Sequence, residues 1–594
     1  MLQRGFHSYA LSAIIGCLCF LGRLQCEAVD HSAILPIWHV LLTPTFDRYG
    51  DPAALKVQQT VANFTFDASS DIFSLFEAIA NLALGHTTND GLTFHDDHGE
   101  INVTSRLVTS AAGTQRIWTT TRTTAGNVTV SYTALPRPLQ EDAPPGPALD
   151  FRRDGHGAIG SGYGIIALPF MPKEPRIRTT LEWDLSSADP DVSAVSSRGP
   201  GNKSSTTEGQ FSMEELQESF LLFGRLQKAI HEAPGPAFNI YWFTEPPFDI
   251  DHLSTVLKDL YVYMISFFQD SGQDFRIFLR HNAHGSLTGT ALPNSFVFGW
   301  DDTEMTYPLT QYQREEILAH EMSHNWVLLP GAQVSENWYT EGLADYYSVL
   351  LRYRSNLLSA EQYLHEINQK MTAYYTNPLV NEDMANVAKL TWNCSHAQRV
   401  PYGRGFAFGL LLNGLIKSST SNKKNLDDVV VALSRMSRSG GRHNVTDFAS
   451  LVNDLIGPRG HNAFRHIEEM EAGIILIPPS NALESELSVQ RVRHDVPAFE
   501  LGFDEKSLLS DPHLVTGLVK GSRAQEAGLL NGDIVAMPFT SMYNQAKDNL
   551  WLHMVLHVTR TDDTASKHMV VEYWPRARRL VEAYHYEPTG HTDL

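Results

Sequence analysis

His320-Glu321-Met322-Ser323-His324 is the stretch that most restricts the folds open to this chain. Histidines four residues apart project from one face of a helix, one turn above the other. Two imidazoles so placed can share a zinc ion, with Glu321 beside it to handle a proton. A catalytic zinc takes three protein ligands and keeps one position open, so a second helix has to supply a third ligand. Trp338-Tyr339-Thr340-Glu341-Gly342 opens one, because Glu336 to Tyr353 has helical apolar spacing. Glu341 is its candidate ligand. Asp345, four residues further along the same face, can accept a hydrogen bond from a ligand imidazole and fix its tautomer. Only sixteen residues separate His324 from Glu341, so the two helices must be joined by a short connection. In this arrangement Glu321 is the general base on a metal-activated water and later passes the proton to a leaving amine.

The remaining chain must build the frame. Its 594 residues exceed one ordinary core, and 42% hydrophobic with 19% charged residues fits folded protein. A net charge of −21 leaves no basic surplus for phosphates and excludes a nucleic-acid binder. Arg4 precedes an apolar run from Leu11 to Leu21, shorter than the about 20 residues of a bilayer span, and Ala28 offers a cleavage point. Residues 1–28 therefore read as a secretory signal, with an uncleaved anchor as the alternative. Cleavage removes Cys17, Cys19 and Cys26 and leaves Cys394 without a disulfide partner. N-x-S/T sequons at Asn63, Asn102, Asn127, Asn202, Asn393 and Asn444 agree with export and glycosylation. After cleavage no further segment reads as a membrane span.

From residue 29 to about 190, period-two runs such as Arg116 to Thr120 and Asn127 to Tyr132 predict strands. Residues 195–209 are poor in apolar side chains and read as an exposed loop or linker. Beyond 211 the period becomes helical: Met213 to Ala229, His252 to Phe268, Gln311 to Leu329 and Glu336 to Tyr353 are predicted helices, and Arg404 to Ile416 a buried one. Strands return from about 495. No internal repeat is visible.

The motif at 320–324, taken with Trp338-Tyr339-Thr340-Glu341-Gly342-Leu343-Ala344-Asp345-Tyr346-Tyr347, resembles the gluzincin metallopeptidases, and among them the glycyl aminopeptidase family. That resemblance implies a β-rich domain, a thermolysin-like catalytic domain and a C-terminal PDZ domain. It places one zinc on His320, His324 and Glu341, and the base on Glu321. Val400-Pro401-Tyr402-Gly403-Arg404 resembles the segment in which related aminopeptidases carry a tyrosine that donates to the oxyanion, here Tyr402. Two features depart from the pattern. The His324–Glu341 spacing is short, and Gly285 to Ala291, where related enzymes hold the substrate's amine with a glutamate, has no acidic residue. That Gly-rich strand can still receive a peptide backbone by strand addition. Exopeptidase and endopeptidase action both remain open.

Phe499-Glu500-Leu501-Gly502-Phe503 and Gly517 to Val535 resemble a PDZ domain, in which Leu501, Gly502 and Phe503 would be the loop that captures a peptide carboxylate. Other polar clusters read as surface: His281 and His284 near the Gly-rich strand, His95-Asp96-Asp97-His98, and Cys394-Ser395-His396. The expected architecture is multidomain α+β, with a signal peptide at 1–28, a β-rich domain at 29–210, a mainly helical thermolysin-like zinc domain at 211–490 and a PDZ-like domain at 491–594. Expected partners are a peptide or protein substrate and a peptide ligand of the PDZ-like domain. The expected function is secreted zinc-dependent peptide hydrolysis. The alternatives are a catalytically weak relative that binds peptides through its PDZ-like module, and hydrolysis of a non-peptide substrate at the same zinc.

Overall fold

The computed structural model describes residues 35–589, apart from 80–81, 88–91, 111–112, 139–146, 172–176, 202–205, 210–211, 232–234, 283–287, 303–307, 330–333, 392–393, 509–511, 537–539 and 562–565. The signal segment, Cys17, Cys19, Cys26, Asn202, Asn393 and His284 lie outside the described residues. Three sheets build the N-terminal region. In Ile37–Phe46, strict alternation buries Trp38, Val40 and Leu42 completely. This strand runs parallel to Arg178–Trp183 and antiparallel to Pro52–Ala62 within an eight-stranded sheet. A second sheet orders Leu168–Pro169, Asp71–Ile79, Gly113–Thr120 and Val103–Ser110.

A third sheet orders Arg152–Asp154, Gly157–Ser161, Phe220–Gly224, Ser193–Ser196 and Gly199–Gly201, and the pairing in this stretch of chain corrects three expectations. Met213 to Ala229 is not one helix: Met213–Gln217 is helical, and Phe220–Gly224 and Gln227–His231 are strands. Phe220 to Phe223 is an unbroken apolar run buried on both faces, which suits a strand between two layers better than a one-sided helix. Residues 195–209 contribute to Ser193–Ser196, Gly199–Gly201 and Thr206–Gly209, all paired, rather than forming a linker. Phe220–Gly224 pairs with both Gly157–Ser161 and Ser193–Ser196, so the β-rich region runs to Gly224, past the expected boundary at 210.

The next sheet orders Gln227–His231, Phe238–Trp242, Phe275–His281, Ser295–Trp300 and Thr288–Leu292. Its three central strands are parallel, and the helix Ile250–Phe267 makes the crossover between the first two of them. Asp249 caps this helix at the backbone N–H of His252, and Leu253, Leu257, Leu260 and Met264 form its buried stripe. One face of the sheet, with Ile277 and Leu279, packs on the helices. The other, with Phe278 and Val297, packs on Phe76, Tyr163, Phe220 and Leu222 of the β-rich region. The expected buried helix starts earlier than Arg404 and spans Ser395–Ser419 through Pro401.

At the C-terminus Val489–Phe499 pairs with Arg576–Pro588 in a long ribbon. Val496, Ala583 and Tyr586 belong to the core of the helical region, so the module is rooted in it rather than beginning cleanly at 491. A separate small core holds Phe499, Leu501, Phe503, Val515, Tyr543 and Tyr573, under a three-stranded sheet of Ile534–Val535, Met554–Thr561 and Ser566–Tyr573. No helix among the described residues is long and apolar enough to cross a membrane.

Candidate metal centre

Gln311–Ser323, the motif helix, starts at a capping box in which the Thr310 hydroxyl accepts from the Gln313 N–H and the Gln313 side chain accepts from the Thr310 N–H. His320 lies in its last turn and His324 is its C-cap. Asn325 Oδ1 accepts from the Asn294 N–H at 3.1 Å, tying this end to the turn after the edge strand Thr288–Leu292. The ligand helix, Asn337–Arg354, lies against the motif helix and brings in Glu341. His320, Glu321, His324 and Glu341 are all at most 5% exposed, so their charges need partners or an ion.

His324 Nε2 lies 3.1 Å from His320 Nε2, and Glu341 Oε2 lies 3.3 Å and 3.6 Å from these two nitrogens. Ligands about 2.0–2.1 Å from one tetrahedral ion sit about 3.3 Å apart, so the three donor atoms have the spacing a zinc requires. Among the described residues this is the one group of three such side chains close enough to hold a metal. Glu321 Oε2 has no hydrogen-bond partner, and Glu341 faces the His320 and His324 nitrogens and the Tyr402 phenol. Buried acceptors without donors are costly unless a cation meets them.

Asp345 Oδ1 accepts from His320 Nδ1 at 2.8 Å, which turns the Nε2 lone pair toward the other ligands. Lys370 Nζ donates to Asp345 Oδ2 at 3.1 Å and to Glu316 at 2.8 Å, extending the chain across the helix Ala360–Thr376. Burial opposes ionisation of Asp345, yet Lys370 and His320 hold its carboxyl well below the ordinary range. Burial likewise opposes protonation of His320, but Asp345 and Glu341 carry it up to about 10. The negative field that draws a proton there also attracts a dication. Burial, and next the neighbouring His320, keeps His324 neutral and able to donate its lone pair. Burial, with Glu341 and Asp345 nearby, pushes Glu321 up to about 8 despite His320.

The Tyr402 ring stacks on His320, with centroids 5.6 Å apart. Burial and the facing Glu341 keep its phenol protonated. Glycines in the packed segments make this approach physically feasible. A Cβ on Gly342 would lie 2.3 Å from Gly405 Cα, so the ligand helix and Ser395–Ser419 touch backbone to backbone next to Glu341 and Tyr402. A Cβ on Gly289 of the edge strand would fall 1.9 Å from Glu321 Oε1. Lys370 and Glu316 were missed by sequence reading. Glu316 sits one turn before His320, but nothing in sequence places Lys370 opposite it.

The other clusters have structural partners. Asp96 is paired with Arg122 at 2.6 Å, and His281 with Asp302 at 2.8 Å. Ser395 and His396 are not surface residues: Ser395 is 3% exposed and opens the long helix, packed on the C-terminal module. Leu501 and Phe503 point into that module's core, and Glu505–Leu508 after them is a 3-10 helix rather than an extended edge for strand addition. Asn63, Asn102, Asn127 and Asn444 are exposed.

A profile of the M61 glycyl aminopeptidase family matches residues 331–400, the segment with Glu341 and Asp345. No curated protein sequence matches the chain. Among solved structures, an aminopeptidase N family protein from Idiomarina loihiensis is 15% identical and superposes with a TM-score of 0.64, over 93% of this chain and 98% of that one. An M1 zinc metallopeptidase from Deinococcus radiodurans, in a mutant form bound to a Tyr-Ser-Ala substrate, is 16% identical over 75% of this chain and 95% of its own, at a TM-score of 0.43. At 15% identity the likeness to the Idiomarina protein is one of fold: the chain has the architecture of an aminopeptidase N family protein, and of the three donors Glu341 lies within the M61 match while His320 and His324 precede it.

Proposed function

We propose that this chain is a secreted zinc metallopeptidase that hydrolyses peptide bonds, with one zinc per chain. The observation that supports this most is the convergence of His320, His324 and Glu341 at zinc-ligand spacing, with Glu321 and Tyr402 beside them. A zinc ion on those three residues would supply Lewis acidity, polarising a carbonyl and lowering the pKa of water. Glu321 takes the proton of the attacking water and later delivers it to the leaving amine. Tyr402, kept protonated by burial and by Glu341, donates to the oxygen that gains negative charge. Asp345 fixes the ring of His320 throughout. The edge strand Thr288–Leu292, in contact with Glu321 through Gly289, is where a peptide backbone would lie. The apolar run at 11–21 and the exposed sequons favour export. The C-terminal module reads as PDZ-like in its order of short helix, strand, helix and two strands.

The test is the zinc content and peptide hydrolysis of the full chain and of Glu321→Gln. The variant should keep about one zinc per chain and lose hydrolysis by at least about 10²-fold; full activity would overturn the mechanism. Cleavage of a free peptide but not its N-acetylated form would make the enzyme an aminopeptidase, and equal cleavage would rule out strict N-terminal trimming.

A further inference from the structure

Ser395 opens the long helix Ser395–Ser419 and reaches into the C-terminal module. Its Oγ meets Glu505 on one side, and Tyr543 OH at 3.2 Å and Lys547 Nζ at 2.5 Å on the other. Tyr543 also donates to Glu505 at 2.8 Å, and its OH lies 3.4 Å from His396 Nε2. The His396 ring packs edge-on against Phe499 at 5.4 Å. At the rim Arg399 bonds Asp548 at 2.9 Å. Tyr543, Lys547 and Asp548 all belong to the helix Thr540–Asp548, so one face of that helix grips the first turn of the long one. The cleft between Glu505–Leu508 and Thr540–Asp548 is thus filled by the chain's own Ser395.

Tyr402 lies seven residues beyond Ser395, two turns further on the same face and about 10 Å along the axis. Between them Pro401 removes one helical N–H and crowds the carbonyl of Ala397. The first turn is therefore weakly coupled to the rest of the helix through its own hydrogen bonds. Something else must hold it, and the buried Lys547–Glu505–Ser395–Tyr543 cluster does so: Lys547, 6% exposed here, donates to Ser395 Oγ, a contact that undocking the module would break.

We propose that Lys547, Ser395 and Arg399 are positioning residues, and that the C-terminal module is a clamp whose partner is this chain's own long helix, holding Tyr402 over the metal centre. This rests on the peptidase reading above. Releasing the clamp should impair turnover more than substrate binding. The experiment uses zinc-loaded full-length protein carrying Lys547→Met, Arg399→Ala, or the reversed pair Arg399→Asp with Asp548→Arg. Three quantities are measured: kcat and KM on a peptide the wild type cleaves, zinc content, and hydrogen exchange over 395–402. Lys547→Met and Arg399→Ala should lower kcat on the order of tenfold, a fraction of the loss expected from removing an oxyanion donor, with KM and zinc content unchanged. Exchange over 395–402 should rise, and the reversed pair should restore both kcat and protection. Unchanged kcat and exchange in the single variants would overturn the proposal, as would a loss carried by KM or by zinc. If Lys547→Met does not fold, Arg399→Ala at the rim decides. If the wild type cleaves no peptide, the peptidase reading fails by itself, and the exchange measurement still decides the clamp.

Discussion

Two buried charge clusters flank the edge strand Thr288–Leu292, and they differ in what is left unsatisfied. On one side the strand touches Glu321 through Gly289, in a centre where Glu321 Oε2 has no hydrogen-bond partner and Glu341 meets no Lys or Arg among the described residues, only the donor atoms around it. On the other, Thr288 accepts from Asn282, which receives Arg152, and Thr290 accepts from the backbone of Ala148. There the Asp150 carboxylate is fully met: Arg280 at 2.8 Å on one oxygen, Arg137 at 3.0 Å on the other, and Arg152 at 3.8 Å. A saturated carboxylate holds sheets together, whereas acceptors left bare at this depth mark a place for an ion. The same strand thus hydrogen-bonds to one cluster through Thr288 and Thr290 and lies against the other through Gly289.

The largest effect should come from Asp150→Asn, which leaves the buried guanidiniums of Arg152 and Arg280, and the half-buried one of Arg137, without their carboxylate. About 3–5 kcal/mol of stability should be lost at pH 7, read as an earlier urea transition, while the metal centre keeps its zinc. The pH dependence has a definite sign. Burial disfavours the charged carboxylate, but Arg152, Arg280 and Arg137 together hold Asp150 well below its ordinary range. Its contribution is complete above the unfolded pKa of about 4 and is lost as pH falls further, so wild type and variant should converge in acid. A constant gap at pH 3 would mean that Asp150 does not act through its charge.

Gly289→Ala breaks the other side of the strand. The added methyl overlaps Glu321 and should cost about 10²-fold in kcat, with zinc content and unfolding transition little changed. Normal turnover would show that Glu321 has room to move and that the contact is incidental. A smaller effect is expected for Asp345→Asn, which keeps the shape but weakens the grip on His320. Zinc affinity, followed by competition with a chelator, should fall about 10–100-fold. Unaltered affinity would separate Asp345 and Lys370 from metal binding and make their chain purely structural.

Much of the centre was legible because its signals are local. Four-residue spacing puts His320 and His324 on one helical face, and the same spacing relates Glu341 to Asp345. Strand alternation in Ile37–Phe46 was legible for the same reason. Phe220 to Phe223 was not, since an apolar run buried on both sides has no period to read. Cys394-Ser395-His396 looked like polar surface because the residues that bury it, Glu505, Tyr543 and Lys547, are more than 100 positions away.

By itself the sequence determined which side chains could share a metal, since helical periodicity fixes neighbours within a few residues. It also carried the departure at Gly285 to Ala291 that leaves trimming from the N-terminus open. The tertiary structure alone decided that Gly289 admits Glu321, that Gly342 and Gly405 bring Tyr402 to the ligand helix, and that Lys370 completes the chain behind His320. It also decided that the C-terminal module grips the long helix. Those contacts depend on the packing of elements far apart in the chain, where the absence of a Cβ or the position of one charge matters only once a distant backbone has arrived beside it.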